Sequence, residues 1–493
     1  MKQKRSSIFH RAAMTLLMLV LTIIAPSSKA WAQTIEVDNW AELKSALEDG
    51  HNVVLTGDPE RTTDNEIITV DKVVTLDFHG HSISGGNKRG TIIYVATGGN
   101  LTVTDLTEAK NGQIYGAKNN YNIYIKGIGA VTLAAGIIIG PNGVYVAENG
   151  CFTMTGGTIN TGGGTGVTLY ESSSMTISGG TITGNDKGVY NLDDGDSSTA
   201  STLTVSGSPV ISGNTEDVSL LYVYENNNIV PIIIGGALTS QASIGISTDQ
   251  DADDVKGKAF TSGLEGKGSA DNFFLHSSVT DLAIVTIGSE LGFAKKATLT
   301  ANDAGEGKGK WCSYYNSSQK MRAPSGVTAY KAKVNDAKTG VTLTELFTNG
   351  GVIKEDQGVL LKADGDIVLI TTDDDADGDY DDNELMGSDD DADQGANEGH
   401  CYVLSKVGDQ FGFFLLQSGV QTKGHRAYLI VSSSGARGFL SFGGDDSATD
   451  IKDTKGSGTS VSSAVYTLDG RRLQGEPSKK GVYVRNGQKF IIK

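Results

Sequence analysis

The sequence predicts an all-β protein whose N-terminal half winds as a solenoid of short strands, and three observations carry this. One phrase returns along the chain: Phe152-Thr-Met-Thr-Gly-Gly-Thr-Ile159, Met175-Thr-Ile-Ser-Gly-Gly-Thr-Ile182, and Leu203-Thr-Val-Ser-Gly-Ser-Pro-Val-Ile211. A second phrase keeps step with it: Gly143-Val-Tyr-Val146, Gly166-Val-Thr-Leu169 and Gly188-Val-Tyr-Asn191, spaced 23 and 22 residues apart. Self-similarity at such a period marks stacked structural repeats. Within each phrase apolar residues alternate with threonine or serine, the period of a strand with one buried face. The Gly-Gly pairs supply corners where φ can turn positive.

Composition agrees. Among 493 residues glycine is abundant (65) and proline scarce (7), without a collagen period. The formal net charge is −17. Residues 1–32 hold five basic and no acidic residues, so without them 36 basic residues face 58 acidic ones, a net −22. Such a chain is a poor partner for nucleic acid or an anionic membrane surface, and leaves neutral glycans, proteins and divalent cations open. Cys151, Cys312 and Cys401 have no metal-ligand spacing. Cys151, beside Phe152, reads as a small core residue, while Cys312 and Cys401 are far enough along to form a bridge.

In chain order, residues 1–32 read as a secretory signal peptide: Lys2, Lys4, Arg5 and Arg11, an apolar run from Ala12 to Ala25, then Ala30-Trp31-Ala32. No later stretch is long and apolar enough for a membrane anchor. The solenoid is assigned residues 33–285. Asp38-Asn39 precedes a helical pattern with Trp40, Leu43 and Leu47 on one face, a cap for the open end of the core. His79-Gly80-His81 reads as an ordinary corner. Tyr94, Tyr124, Tyr145 and Tyr190 fall in one outward strand position, with Thr168 in the same slot and Tyr222 continuing it. Glu148, Glu171 and Asp193 each follow a repeat glycine by five residues and are expected to stack, with Glu225 next in line. Phe273-Phe-Leu275 closes the winding.

Residues 286–310, with Gly305, Gly307 and Gly309 among lysines, are expected to be a linker. Alternating strands such as Val327–Val334 and Val341–Leu346 then predict a β-sandwich-like module over 311–444. A polar linker (445–463) and a C-terminal segment (464–493) complete the chain.

The Thr-Met-Thr-Gly-Gly-Thr-Ile and Ser-Gly-Gly-Thr-Ile-Thr-Gly-Asn185 phrases resemble those of bacterial right-handed parallel β-helices, the pectin-lyase-like fold, and most closely their adhesin-like surface branch. Val465-Tyr-Thr-Leu-Asp-Gly-Arg-Arg-Leu473, Lys480-Gly-Val-Tyr-Val484 and Gly487-Gln-Lys-Phe-Ile-Ile-Lys493 resemble the C-terminal sorting domain of the type IX secretion system. The tail is shorter than that family's full domain. These likenesses imply a Gram-negative source, passage through the outer-membrane secretion machinery and a place outside the cell or on its surface. The β-helix likeness specifies a fold more than an activity.

Chemistry is weakly signalled. Asp373, Asp375, Asp377, Asp379 and Glu384, with Gly378, match the spacing of a calcium loop. Strand patterns flank this stretch in place of helices, so a solvated acidic loop competes with calcium, and no other cofactor is implied. A lyase of the resembled fold commonly uses Arg or Lys on its helix face. No arginine stands between Arg89 and Arg322, and the clear coils carry only Lys110, Lys118, Lys126 and Lys187. A hydrolase needs two carboxylates about 5–9.5 Å apart. Glu148, Glu171 and Asp193 on coils ~4.8 Å apart meet that distance, but a turn position that simply prefers polar residues is the favoured account of them. The reading is an adhesin-like, non-catalytic surface protein that binds an extracellular glycan or a surface protein through Tyr94, Tyr124, Tyr145, Tyr190 and the three carboxylates. The alternative is a polysaccharide hydrolase or lyase acting on the same face.

Overall fold

The computed structural model describes residues 33–192, 200–276, 279–305, 307–392, 399–417, 420–432 and 438–442, together with strands Val465–Thr467, Gly481–Arg485 and Gln488–Ile492. Residues 1–32, Asp193, Asp393 and the stretch 445–463 lie outside the described residues.

The N-terminal half is a parallel β-helix. One face is a ten-stranded sheet running from Thr34–Val37 to Thr261–Ser262. The other two faces are rows of strands that meet at Ser243–Ser247, which pairs with both Val210–Ile211 and Glu216–Ser219. A representative coil is Cys151–Met154, Thr158–Asn160 and Thr165–Leu169. Parallel pairing in fixed register lines equivalent residues into columns: Leu101, Val131, Phe152, Met175 and Leu203 follow one another through the core. The Gly-Gly corners are obligatory. Gly157 has φ +75°, and a Cβ on Gly156 would lie 2.2 Å from the Ala134 carbonyl oxygen one coil below. The same alternation corrects the reading of Cys151. Phe152 takes the inward place, leaving Cys151 half-buried on the outer side.

Both ends of the core are closed. At the N-terminus the helix Trp40–Asp49 is capped by the Asn39 side chain, which accepts from the Glu42 N–H at 3.1 Å, and buries Trp40, Leu43, Ala46 and Leu47. Nearby, Arg61 is wholly buried and donates to five backbone carbonyls, those of Gly85, Glu66, Thr91, Lys88 and Gly90.

At the other end the stretch expected as a linker is structured. Leu282–Ile287 and Glu290–Leu299 form an antiparallel hairpin. Leu291 and Phe293 complete the β-helix core, Phe293 stacking on Phe260 at 4.9 Å, while Leu299 enters the next core. The Glu290 carboxylate accepts from the Thr261 hydroxyl and the Gly263 N–H. The glycines that signalled flexibility, Gly305, Gly307 and Gly309, lie in the connection between the paired strands Asn302–Asp303 and Lys310–Tyr314.

The following module has a five-stranded sheet, which the hairpin joins, and a ten-stranded sheet. The central strand Val359–Ala363 is buried on both sides: Val359 and Leu361 pack in one core, Leu360 in a second. This explains an unbroken apolar run where a half-buried strand would alternate. Cys312 and Cys401 are both buried and free, so the bridge the sequence allowed does not form. The three strands described in 464–493 form a separate antiparallel sheet. Among the described residues no helix is long and apolar enough to cross a membrane.

Candidate functional site

The tyrosine column exists as a register. Strand pairing places Tyr94 beside Tyr124, Tyr124 beside Tyr145, Tyr145 beside Thr168, and Thr168 beside Tyr190. The cause is alternation: Ile93, Val95, Ile123, Ile125, Val144, Val146, Val167, Leu169 and Val189 all point inward and are buried, so the residue between them points out. The corners feeding these strands are held by an internal polar ladder. The Thr161 N–H donates to Asn185 Oδ1 at 2.8 Å, Asn185 Nδ2 to Asn214 Oδ1 at 2.7 Å, and Asn214 Nδ2 to Asp217 Oδ1 at 2.8 Å.

The rings are half-buried, because they pack on one another. Tyr94 and Tyr124 meet edge to face at 5.5 Å, Tyr124 and Tyr145 at 5.1 Å. Two tyrosines outside the column join them: Tyr121 lies 4.8 Å and Tyr170 6.4 Å from Tyr145. Thr168 is only 2% exposed although it occupies the outward slot, where its register neighbours are Tyr145 and Tyr190. Sequence reading missed Tyr121 and Tyr170 because neither occupies the alternating slot. The spacing Tyr121-Asn-Ile-Tyr124 was the available signal. Tyr222 leaves the column. The partner of Tyr190 is Ser219, and Tyr222 is buried in a small hairpin with Ile229 opposite. Glu225 sits exposed on that hairpin and so does not extend the carboxylate row.

Glu148 and Glu171 do lie on consecutive coils, tied by the Asn149 N–H donating to the Glu171 carbonyl at 3.1 Å. Both open turns with two successive left-handed residues, Glu148-Asn149 at φ 51° and 70° and Glu171-Ser172 at φ 49° and 59°. A double positive-φ turn favours short polar residues at its second position, which accounts for Asn149 and Ser172 without any catalytic demand. Glu148 pairs with Lys126 across the coils at 2.8 Å. That bond, ahead of the simple attraction of the two charges, raises the Lys126 pKa. Asp193, third in the row, lies outside the described residues. At the far end Lys187 sits 3.7 Å over the Tyr190 ring and 3.6 Å from Glu216.

Tyr145 carries the strongest perturbation of the face. Burial, then the neighbouring phenols of Tyr121, Tyr124 and Tyr170, push its pKa up to about 12. Tyr124 is raised for the same first reason. A free tyrosine ionises near 10. The stability this group contributes is therefore complete below pH ~10 and is lost as pH rises towards 12, because there the unfolded chain has given up its proton and the folded one has not. Ultraviolet titration of the phenolate band should show a late-ionising component near pH 12 that Tyr145→Phe lowers by one phenol, leaving Tyr315, which its hydrogen bond to Asp356 also pushes up to about 12. An unaltered titration curve would refute the packing described here.

The acidic pattern does not assemble. Asp377 accepts from the Val352 N–H at 2.9 Å, Glu384 from the Val334 N–H at 2.8 Å, and Asp379 pairs with Lys331 at 3.5 Å. Asp373 and Asp375 are exposed, and Asp374 is engaged by Arg322. Asp377, Glu384 and Asp379 are thus directed to separate groups on two strands, and among the described residues no three His, Cys, Asp or Glu side chains form a metal-sized group. The spacing of a calcium loop is present, but the loop is fastened along the edges of two strands and is not wrapped around a centre.

Comparison with protein-family models finds no match for this chain, and none is found among curated proteins.

Proposed function

We propose that the protein is a secreted, surface-displayed, adhesin-like β-helix protein that binds an extended neutral glycan along its tyrosine face and performs no catalysis on it. The carrying observation is the continuous outward row of phenol rings from Tyr94 to Tyr145, resumed at Tyr190, in fixed parallel register. A phenol offers a flat apolar face and a hydroxyl, which suits stacking on a sugar and hydrogen bonding to it. Glu148 and Glu171 at the edge of the row offer acceptors for sugar hydroxyls, and the acidic balance of the chain disfavours acidic polysaccharides. The pairing of Glu148 with Lys126 speaks against a free catalytic acid there. Placement in the adhesin-like, right-handed branch of the pectin-lyase-like fold belongs to this proposal. A surface protein bound on the same face is the competing ligand class.

A glycan array probed with purified protein, run beside an assay of reducing-sugar release from the same glycans, tests the reading. Binding to neutral glycans without release supports it. Release would establish the hydrolase or lyase instead, and an array without any bound glycan would leave the protein-ligand class in its place.

Export is part of the same proposal. Deleting residues 464–493 is expected to hold the protein in the periplasm, read as loss of cell-surface labelling. Labelling equal to that of the full chain would remove the sorting role.

A further inference from the structure

The tyrosine row changes character at its C-terminal end. Beyond Tyr190 the same slot holds Ser219 and then Ser247, so the floor of the face drops by the depth of a phenol ring. There the chain leaves the coil and raises a hairpin in which Tyr222–Val223 pairs with Asn228–Ile229. The hairpin is held on two sides. The Tyr224 hydroxyl donates to Gln250 Oε1 at 3.1 Å, and Lys258 Nζ donates to the Asn227 carbonyl at 2.7 Å. Lowered floor and raised wall enclose a cleft of about 310 Å³, lined by Lys187, Tyr190, Glu216, Ser219, Tyr222 and Tyr224.

We infer that this cleft is an end-recognition subsite, taking the terminal sugar of a neutral glycan whose preceding residues lie along the tyrosine row. The inference rests on the reading of that row as a glycan-binding face. Its volume is at the small end of the range for small-molecule sites, enough for a single sugar ring. The charges choose a neutral sugar. Lys187 is paired with Glu216 and lies over Tyr190, so its charge is already neutralised. Glu216 also accepts from the Ser219 hydroxyl at 2.6 Å, and Asp249 adds a second carboxylate at the rim. This surplus of acceptors welcomes hydroxyl groups and repels a uronic or sialic acid. Tyr224 is 71% exposed and its ring meets Tyr222 at 5.1 Å, which leaves an open aromatic face beside the cleft for a sugar to cover.

Titration calorimetry with linear hexasaccharides of glucose, mannose and galactose, and with the methyl glycoside of each, tests this. One hexasaccharide and its matching methyl glycoside are expected to bind. Tyr224→Ala should abolish methyl glycoside binding and weaken the hexasaccharide at least tenfold, with Ser219→Trp, which fills the cleft, doing the same. Tyr124→Ala, three coils away at ~4.8 Å per coil, should weaken the hexasaccharide alone. If both cleft variants bind hexasaccharide and methyl glycoside like the unaltered protein, the subsite is refuted while the row survives. If Tyr124→Ala changes nothing while the cleft variants lose all binding, the sugar chain does not follow the row. Absence of binding by every probe overturns both.

Discussion

Replacing Arg61 with methionine is expected to destabilise the N-terminal coils by about 4 kcal/mol. The guanidinium is fully buried and its partners are carbonyl oxygens alone, four of them between Gly85 and Thr91 and one from Glu66. Burial lowers its pKa, opposed by the attraction of Asp64 and Glu66. Methionine has comparable length and no donor, so several buried carbonyls would lose their partners together. The Gly86 backbone passes close to Arg61: a Cβ on Gly86, at φ +60°, would lie 2.0 Å from the Arg61 carbonyl oxygen. In a solenoid each coil contacts only its neighbours, so the damage should stay local. Hydrogen exchange is the measurement that sees this. Protection of amides between residues 68 and 95 should fall roughly a thousand-fold, the equivalent of that energy. Amides of residues 143–219 should keep theirs. Unchanged protection in the first stretch would mean that Arg61 is replaceable packing.

The second large effect is on binding. The double substitution of Tyr145→Ala with Tyr190→Ala should weaken binding of the best glycan by about 100-fold, as loss of two stacking rings worth roughly 1–1.5 kcal/mol each implies. The two rings stand on either side of Thr168, so no single ring can bridge the gap. Stability should fall as well, a point where the structure departs from the simple picture of rings outside the core. Tyr145 packs on Tyr121, Tyr124 and Tyr170, and losing those contacts costs on the order of 2 kcal/mol. Tyr145→Phe keeps the stacking and separates the two effects. Equilibrium binding of the double variant with undiminished affinity would exclude this face as the site.

The architecture was legible because a solenoid writes its geometry into sequence. Parallel register forces the same side-chain position to recur once per coil, so counting from Gly143, Gly166 and Gly188 located Tyr145, Thr168 and Tyr190 without coordinates. The cap helix was equally local: Asn39 and the spacing of Trp40, Leu43 and Leu47 describe an amphipathic turn wherever they occur. Counting failed where the period broke. The insertion before Leu203 and the hairpin at Tyr222 shift the chain by lengths that no local pattern states, so Tyr222 and Glu225 were placed in columns to which they do not belong.

Contacts between distant segments were invisible for the same reason. Glycine-rich composition around 305–309 looked like a linker, yet Leu291 and Phe293 are needed to close the β-helix core, a requirement set by the shape of its open end. The aspartate pattern from Asp373 met a spacing rule, while tertiary structure turns Asp377, Glu384 and Asp379 to Val352, Val334 and Lys331 on neighbouring strands. Tyr121 and Tyr170 joined the ring cluster through turns whose direction is fixed by the coils above and below. Periodicity in this chain determines which residues share a column and which way they face. Only the folded molecule decides what closes the ends, which rings touch, and where the tyrosine row drops into a cleft, since each depends on segments meeting across breaks in the repeat.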